Sequence, residues 1–376
     1  MQHSDNKIKL IIITPTLKIG GSQRVITYLC NNLDSKIFDI TLIIINNQNS
    51  SHSFSIESMK DIKIIDFKIT KVRYSLFKII KATRKIKPDI IFSTQYHLNA
   101  ALVLIKPFIP SKSKLIARET NIPSIRNFKY KIIYMYFFKR FYKYIDTIVC
   151  QSKGMHEEFI QISNCSKNKL VIINNPIDCN FIQKKIEENE NEYYKSNIVA
   201  IGSTLGHQKG FERLIDSFSF IKDKNVKLII LGEGPSRRKL QNKIDKAGLQ
   251  NQINLVGCKK DPIKFLKRTD VFALSSFSEG FPNAMLEAGL CGVPTVAFDV
   301  KGGIKDIMVE KMNGFTVPEG ELELFAETLV KAINYPFDSD KMKDHIVRNF
   351  DVSIIIKHYE SLFLNIHNNK KNIYEK

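Results

Sequence analysis

The stretch Ser275 to Pro294, SSFSEGFPNAMLEAGLCGVP, sets two carboxylates, Glu279 and Glu287, eight positions apart. Between them lie Gly280, Phe281, Pro282, Asn283 and Ala284. The apolar run from Asp270 to Ser275 predicts a strand ahead of the first glutamate. The pattern of Ala284, Met285, Leu286 and Ala288 predicts a helix around the second. Pro282 suits the first helical turn, where its missing N–H costs nothing. The free amides of that turn favour an anion such as a diphosphate. Glu287, a turn or two further on, can accept hydrogen bonds from a ribose diol, and Glu279 at the strand end faces the same crevice. This is a layout for holding a nucleotide-sugar.

Such a layout needs a parallel sheet to position it. Continuous apolar runs at Lys9–Thr14, Ile40–Asn46, Ile62–Phe67, Asp89–Ser93, Leu115–Ala117, Ile145–Cys150 and Leu170–Ile173 alternate with helical stretches. That pattern indicates an α/β domain with a sheet covered on both faces. Asn174-Asn-Pro-Ile-Asp178 breaks it, a polar charged segment follows to Ser196, and a second β/α alternation runs from Asn197 to about Tyr335. The expected domains are 1–180, 181–345 and a helical tail at 346–376. Ligands of such sheets bind outside the strands' C-terminal ends, and the motifs fall at such ends.

With 376 residues, two domains are expected, each with its own core. The formal charge is +19, from 57 basic and 38 acidic residues, which favours polyanions: nucleic acid, an anionic membrane face or phosphate-bearing substrates. Abundant Lys, Ile and Asn with no Trp also fits an AT-rich coding sequence. The six cysteines, Cys30, Cys150, Cys165, Cys179, Cys258 and Cys291, form no C-x-x-C pair, so reduced thiols in a cytoplasmic protein are expected. The apolar run at Lys7–Ile13 is too short for a signal peptide. No window of 18 apolar residues occurs, so no transmembrane helix is expected.

The two glutamates and their neighbours resemble the E-x7-E motif of glycosyltransferase family 4, the retaining group 1 glycosyl transferases with the GT-B fold. The surrounding motifs follow the family's order. Ile201-Gly-Ser-Thr-Leu-Gly-His-Gln-Lys-Gly210 resembles its Lys-Gly loop, and Leu231-Gly-Glu-Gly-Pro235 comes next. Ile253–Gly257 resembles the strand that ends beside the nucleotide base. Val293–Ala297, Lys301-Gly-Gly303 and Asn313–Pro318 follow the glutamates, and Ile19-Gly-Gly-Ser-Gln23 resembles the N-terminal glycine loop. The resemblance implies two Rossmann-like β/α/β domains facing across a cleft, with the tail helix packing back on the first.

It also implies roles. Lys209 would neutralise the departing diphosphate, since a preplaced cation stabilises charge that develops there. Glu279 would orient the donor sugar or stabilise positive charge, with the leaving phosphate acting as base in a front-face, retaining transfer. Gly20, Gly21, Ser203, Gly257, Cys258, Phe281, Pro282, Asn283, Ala284 and Glu287 would bind the donor, with Glu287 on the ribose. Ser203 stands where the family usually has an arginine, leaving Lys259 or Lys301 as replacement cations. The usual N-domain histidine is missing too. Arg118-Glu119-Thr-Asn121 occupies that place, making Arg118, Glu119 and Asn121 acceptor-side candidates, while His97 reads as a surface residue. No cofactor or metal is expected, because the nucleotide-sugar is a substrate.

Arg126 to Lys143 contains six basic residues, no acidic ones and eight aromatics, a composition suited to an interfacial helix on anionic lipid. The expected function is transfer of a hexose or N-acetylhexosamine, from a UDP-sugar, to a lipid-linked or lipopolysaccharide- or capsule-type saccharide. The expected location is cytoplasmic, peripheral on the inner face of the plasma membrane, with no nucleic-acid partner. Two other readings exist: a GT-B sugar-nucleotide epimerase, and a non-catalytic GT-B partner of another transferase.

Overall fold

The computed structural model describes residues 7–18, 20–47, 59, 62–120, 136, 138–188, 196–202 and 205–369. They form two compact units: one runs up to Pro176 and resumes at Val352, the other is Ile177–Asp351. The chain thus returns to the first unit at position 352, later than the 346 expected from sequence. The helix Ser339–Phe350 buries Met342, Ile346 and Phe350, and the last two lie in the second unit's core. The return therefore waits until that face is used.

The first unit holds β1 (Ile8–Thr14), β2 (Phe38–Ile44), β3 (Lys63–Asp66), β4 (Ile90–Thr94), β5 (Lys114–Arg118), β6 (Thr147–Cys150) and β7 (Leu170–Ile172). They form one parallel sheet in the order β3-β2-β1-β4-β5-β6-β7. Successive side chains point to opposite faces. Leu10 and Ile12 accordingly enter one core cluster, while Ile11 and Ile13 enter the other. This is why the strands read as unbroken apolar runs. The terminal helix Val352–His367 covers the first of these faces. Its Tyr359 and Phe363 meet Phe92 edge-on, each at 5.7 Å between ring centroids.

The second unit holds β8 (Ser196–Ile201), β9 (Leu228–Leu231), β10 (Ile253–Gly257), β11 (Thr269–Leu274), β12 (Thr295–Asp299) and β13 (Gly314–Pro318). Its sheet is also parallel, ordered β10-β9-β8-β11-β12-β13. Both sheets share one winding rule: the first three strands grow to one side, and the fourth starts on the other side of the first. The order reverses between β1 and β4 in one unit and between β8 and β11 in the other. Those are the places where an open α/β sheet leaves a crevice for a ligand. Among the described residues, no helix is long and apolar enough to cross a membrane.

Candidate functional site

At the reversal in the second sheet, the loops after β8 and β11 meet. Lys209 Nζ lies 2.7 Å from Glu279 Oε1, and the Ser276 hydroxyl donates to the same oxygen at 2.6 Å. Among the described residues the second oxygen, Oε2, accepts no hydrogen bond, so half of the carboxylate is held and half is open to a ligand. The Glu279 side chain is 8% exposed and that of Lys209 25%.

Backbone contacts fix this pair. The Ser275 hydroxyl donates to the Lys209 carbonyl at 2.9 Å, and the Phe277 amide donates to the Gln208 carbonyl at 2.8 Å. Gly210 sits between them at φ 64°, and a Cβ there would fall 1.9 Å from the Ser275 carbonyl oxygen. The Lys-Gly pair is therefore one device: glycine lets the two loops touch, and the touch aims the lysine. The other flank of Glu279 pairs with the loop after β12. Its amide donates to Lys301 O at 3.3 Å and its carbonyl accepts from the Gly303 amide at 3.0 Å. A Cβ on Gly303 would stand 2.8 Å from the Gly280 carbonyl, so this approach also needs glycine.

Arg213, which carries no motif of its own in the sequence, lies beneath these loops. It donates from Nε to Ser275 O at 2.6 Å and from its second nitrogen to Ser276 O. Its guanidinium stacks over Phe277 and Phe298, 3.9 and 4.2 Å from their centroids. Burial pulls its pKa below the ordinary arginine value, with Glu319 at 3.5 Å opposing that shift. The available signal was a charged residue on the inward face of a helix, Phe211–Phe218, whose other inward positions are mostly apolar.

The helix carrying the second glutamate spans Asn283–Leu290. Pro282 stands at its N-cap rather than inside its first turn, and its carbonyl accepts from Met285 N at 2.9 Å. Phe281 is buried against Phe350, while Asn283 and Ala284 are part-exposed. Glu287 is buried at 6% exposure. Gly257 ends β10, two strands from β8, and Cys258 follows it and is exposed. The Gly257 carbonyl accepts from Gly232 N at 2.9 Å, tying the β9 and β10 loops together. Ser203 lies outside the described residues, as does Asn121.

Gly20 and Gly21 belong to the first unit. Gly20 caps the helix Gly21–Asn32 just beyond β1, with no side-chain cap on its amides. Across the reversal in that sheet, Gln95 follows β4 in a left-handed conformation, φ 75°, and reaches Ser22 Oγ from Nε2 at 3.3 Å. A non-glycine residue held at positive φ costs energy, which marks Gln95 as a further residue of this strand-end crevice.

Arg118 and Glu119 sit elsewhere than on an accessible acceptor surface: they are 0% and 2% exposed. Arg118 donates to Asn175 Oδ1, and Glu119 Oε1 accepts from Asn99 Nδ2 at 2.6 Å and from the Tyr142 hydroxyl at 2.7 Å. Buried charges persist where partners hold them; among the described residues Arg118 Nε has no hydrogen-bond partner, but the other contacts of the pair knit β5 to its neighbours. Of the aromatic stretch 126–143, residues 126–135 and 137 lie outside the described residues. Phe138 and Tyr142 turn inward, are fully buried and stack at 3.9 Å, so part of the aromatic content is core. Tyr136 is exposed.

Two parallel Rossmann-like sheets, with the site motifs at strand ends, define the GT-B class. Comparison with known proteins agrees. Residues 182–349 match the model for glycosyl transferases group 1, and residues 19–181 match that for Glycosyltransferase Family 4. The chain belongs to this family of glycosyltransferases. It is 34% identical to an uncharacterised glycosyltransferase of Methanocaldococcus jannaschii, over 68% of this chain and 66% of that one. It is 27% identical to a Campylobacter jejuni enzyme, over 82% of this chain and 86% of the other. That relative is an N-acetylgalactosamine-N,N'-diacetylbacillosaminyl-diphospho-undecaprenol 4-alpha-N-acetylgalactosaminyltransferase. The crystal structure of Anabaena HepE in complex with UDP and glucose superposes with a TM-score of 0.77 at 18% identity, covering 95% of this chain and all of that one (100%).

Proposed function

We propose that this glycosyltransferase moves a hexose or N-acetylhexosamine from a UDP-sugar to a lipid-linked or lipopolysaccharide- or capsule-type saccharide, with retention at the anomeric carbon. The observation that carries this is the Lys209–Glu279–Ser276 cluster at the sheet reversal, one carboxylate oxygen held and the other open. In the reaction the bond from the sugar C1 to the diphosphate breaks as the acceptor hydroxyl bonds to C1 from the same face. The hydroxyl's proton passes to the departing phosphate oxygen. A diphosphate near Lys209 draws the ammonium into neutralising its growing charge, which is the arrangement that lowers such a barrier. Glu279 steadies the positive charge on the sugar ring, and Glu287 accepts from the ribose hydroxyls. The UDP in the HepE structure and the undecaprenol-linked substrate in the C. jejuni relative's name support the choice of donor and acceptor. A lipid-linked acceptor in turn places the enzyme at an anionic membrane surface.

The test is a thermal-shift panel of UDP-, GDP-, ADP- and CMP-sugars, with Lys209→Ala in parallel. Binding to the native state raises apparent stability by mass action. A shift with UDP-sugars that is lost in the variant is the expected result. No shift with any nucleotide would overturn the donor assignment, and a product of inverted anomeric configuration would overturn retention.

A further inference from the structure

The helix Val72–Ile86 of the first unit packs inward through Ser75, Ile79 and Thr83. Its opposite face carries Arg73, Lys78, Lys81, Arg84 and Lys85 with no acidic residue. Set among these five cations are two large apolar side chains left in solvent, Tyr74 at 59% and Phe77 at 76% exposure. Arg84 Nε donates to the Phe108 carbonyl at 2.8 Å, and Phe108, itself 55% exposed, extends the apolar part of the surface.

Beside the same helix, between it and β1–β3, lies a cavity of about 610 Å³. Lys78, Lys81 and Lys85 line it from the helix, and Lys9 and Lys63 from the strands. Its floor is apolar, with Ile65, Phe67, Ala82 and Ile86. Its single acidic residue, Asp39, is taken by Lys63 at 3.2 Å. Lys78 donates to the Phe67 carbonyl at 3.3 Å. Among the described residues, the ammonium groups of Lys9, Lys81 and Lys85 have no hydrogen-bond or ion-pair partner.

We infer that this helix face and its cavity form a docking surface for an anionic phospholipid bilayer, with a headgroup phosphate among the cavity lysines and Tyr74 and Phe77 in the interfacial layer. Exposed aromatics within a uniformly basic face are the composition of a helix lying in a membrane interface. A cavity with unpaired cations over an apolar floor suits a ligand that is anionic at one end and apolar at the other. A purely polar polyanion would use the lysines and leave Phe77, Tyr74 and the apolar floor unexplained. The inference rests on the membrane-surface part of the proposed function and adds a site that the aromatic stretch at 126–143 had not suggested.

The experiment is co-sedimentation of the full chain with phosphatidylcholine vesicles, with and without phosphatidylglycerol. Wild type should bind only the anionic vesicles, more weakly as salt rises. K78Q/K81Q/K85Q should lower the partition coefficient by roughly a hundredfold, about fivefold per lysine. Phe77→Ser, at an exposed position, should also lower it while leaving thermal unfolding unchanged. Equal binding by wild type and lysine variant, or equal binding to both vesicle types, would overturn the inference. So would displacement by glycerol phosphate, which would assign the cavity to a soluble anion, or RNA binding through the same lysines without vesicle binding. The UDP-sugar shift of the lysine variant separates the readings: vesicle binding lost with that shift intact supports the docking surface, and wild type that shows the shift without vesicle binding sinks this inference alone.

Discussion

Lys209 and Glu279, 70 residues apart in sequence, form an ion pair at 2.7 Å. The contact follows from sheet order: β8 and β11 are neighbours, so the loops that leave them must share one crevice. Lys209→Ala removes the cation that answers the departing diphosphate, and turnover should fall by about 10²–10³. It also strands a carboxylate that is only 8% exposed. A fully buried pair broken this way costs several kcal/mol. With Lys209 a quarter exposed, the loss should be on the order of 1–2 kcal/mol. Glu279→Gln keeps an acceptor for Ser276 and releases the lysine, so nucleotide affinity should hold while turnover drops. Steady-state kinetics beside urea unfolding checks both, and a Lys209→Ala enzyme with wild-type turnover would end the assignment.

The two glutamates should separate kinetically. Glu287, at 6% exposure within the Asn283–Leu290 helix, is assigned to the ribose. A hydrogen bond to a charged group contributes about 1.5–3 kcal/mol, so Glu287→Ala should weaken UDP binding by roughly 10- to 150-fold. Glu279→Ala should chiefly lower kcat. Calorimetric titration with UDP and initial-rate kinetics give the two numbers, and unchanged values in both variants would remove both residues from the site.

Arg213 is a positioning residue, since it touches the Ser275 and Ser276 carbonyls whose loop holds Glu279. A lysine cannot reproduce two divergent donors or stack between Phe277 and Phe298. Arg213→Lys should therefore lose about 1–3 kcal/mol of stability. It should also lower kcat well below wild type at temperatures where the variant is fully folded, with KM for the donor changed little. Wild-type kcat in the folded variant would reduce Arg213 to a packing role.

What could be read from the chain alone follows from distance along it. The strand–loop–helix around Glu279 and Glu287 is local, and its residue types and spacing state it directly. The alternation of buried strands marks two parallel sheets for the same reason. The Lys209–Glu279 contact depends on strand order, which no periodicity encodes. Arg213, Arg118 and Glu119 were obscure because a charged residue in a sequence reads as solvated. All three are buried here, each held by partners distant in sequence: Arg213 by Ser275 and Ser276, Arg118 by Asn175, and Glu119 by Asn99 and Tyr142. Phe138 and Tyr142 misled in the opposite sense. Composition counted them toward a surface, while the fold stacks them into a core. The basic face of the Val72–Ile86 helix was present in sequence, but only its packing shows that Phe77 points outward.

The thiols offer a test that needs no turnover. Cys258 is the exposed cysteine, beside Gly257 at the end of β10. Burial pushes the Cys30 and Cys291 thiols up to about 12, with Glu287 adding to the rise at Cys291. It raises Cys150, Cys165 and Cys179 as well. The thiolate is the reactive form, so at pH 8 a thiol with a pKa near 12 is ionised in only about one molecule in 10⁴. Native protein treated with iodoacetamide at pH 8 should therefore label one site quickly, and urea should release the rest. If Cys258 lines the donor site, saturating UDP-sugar should slow its labelling several-fold. Unaltered labelling would take Cys258 out of the site while leaving Lys209 and Glu279 in it. The same shifts fix the sign of the alkaline response. The folded state keeps the Cys30 and Cys291 protons longer than the unfolded chain, whose thiols ionise near 9.0. Their contribution is complete below that value and is lost as pH rises from it toward about 12. Urea unfolding at pH 8 and again near pH 10 should show this fall, smaller in a Cys291→Ala variant once its own cavity cost is subtracted at pH 8.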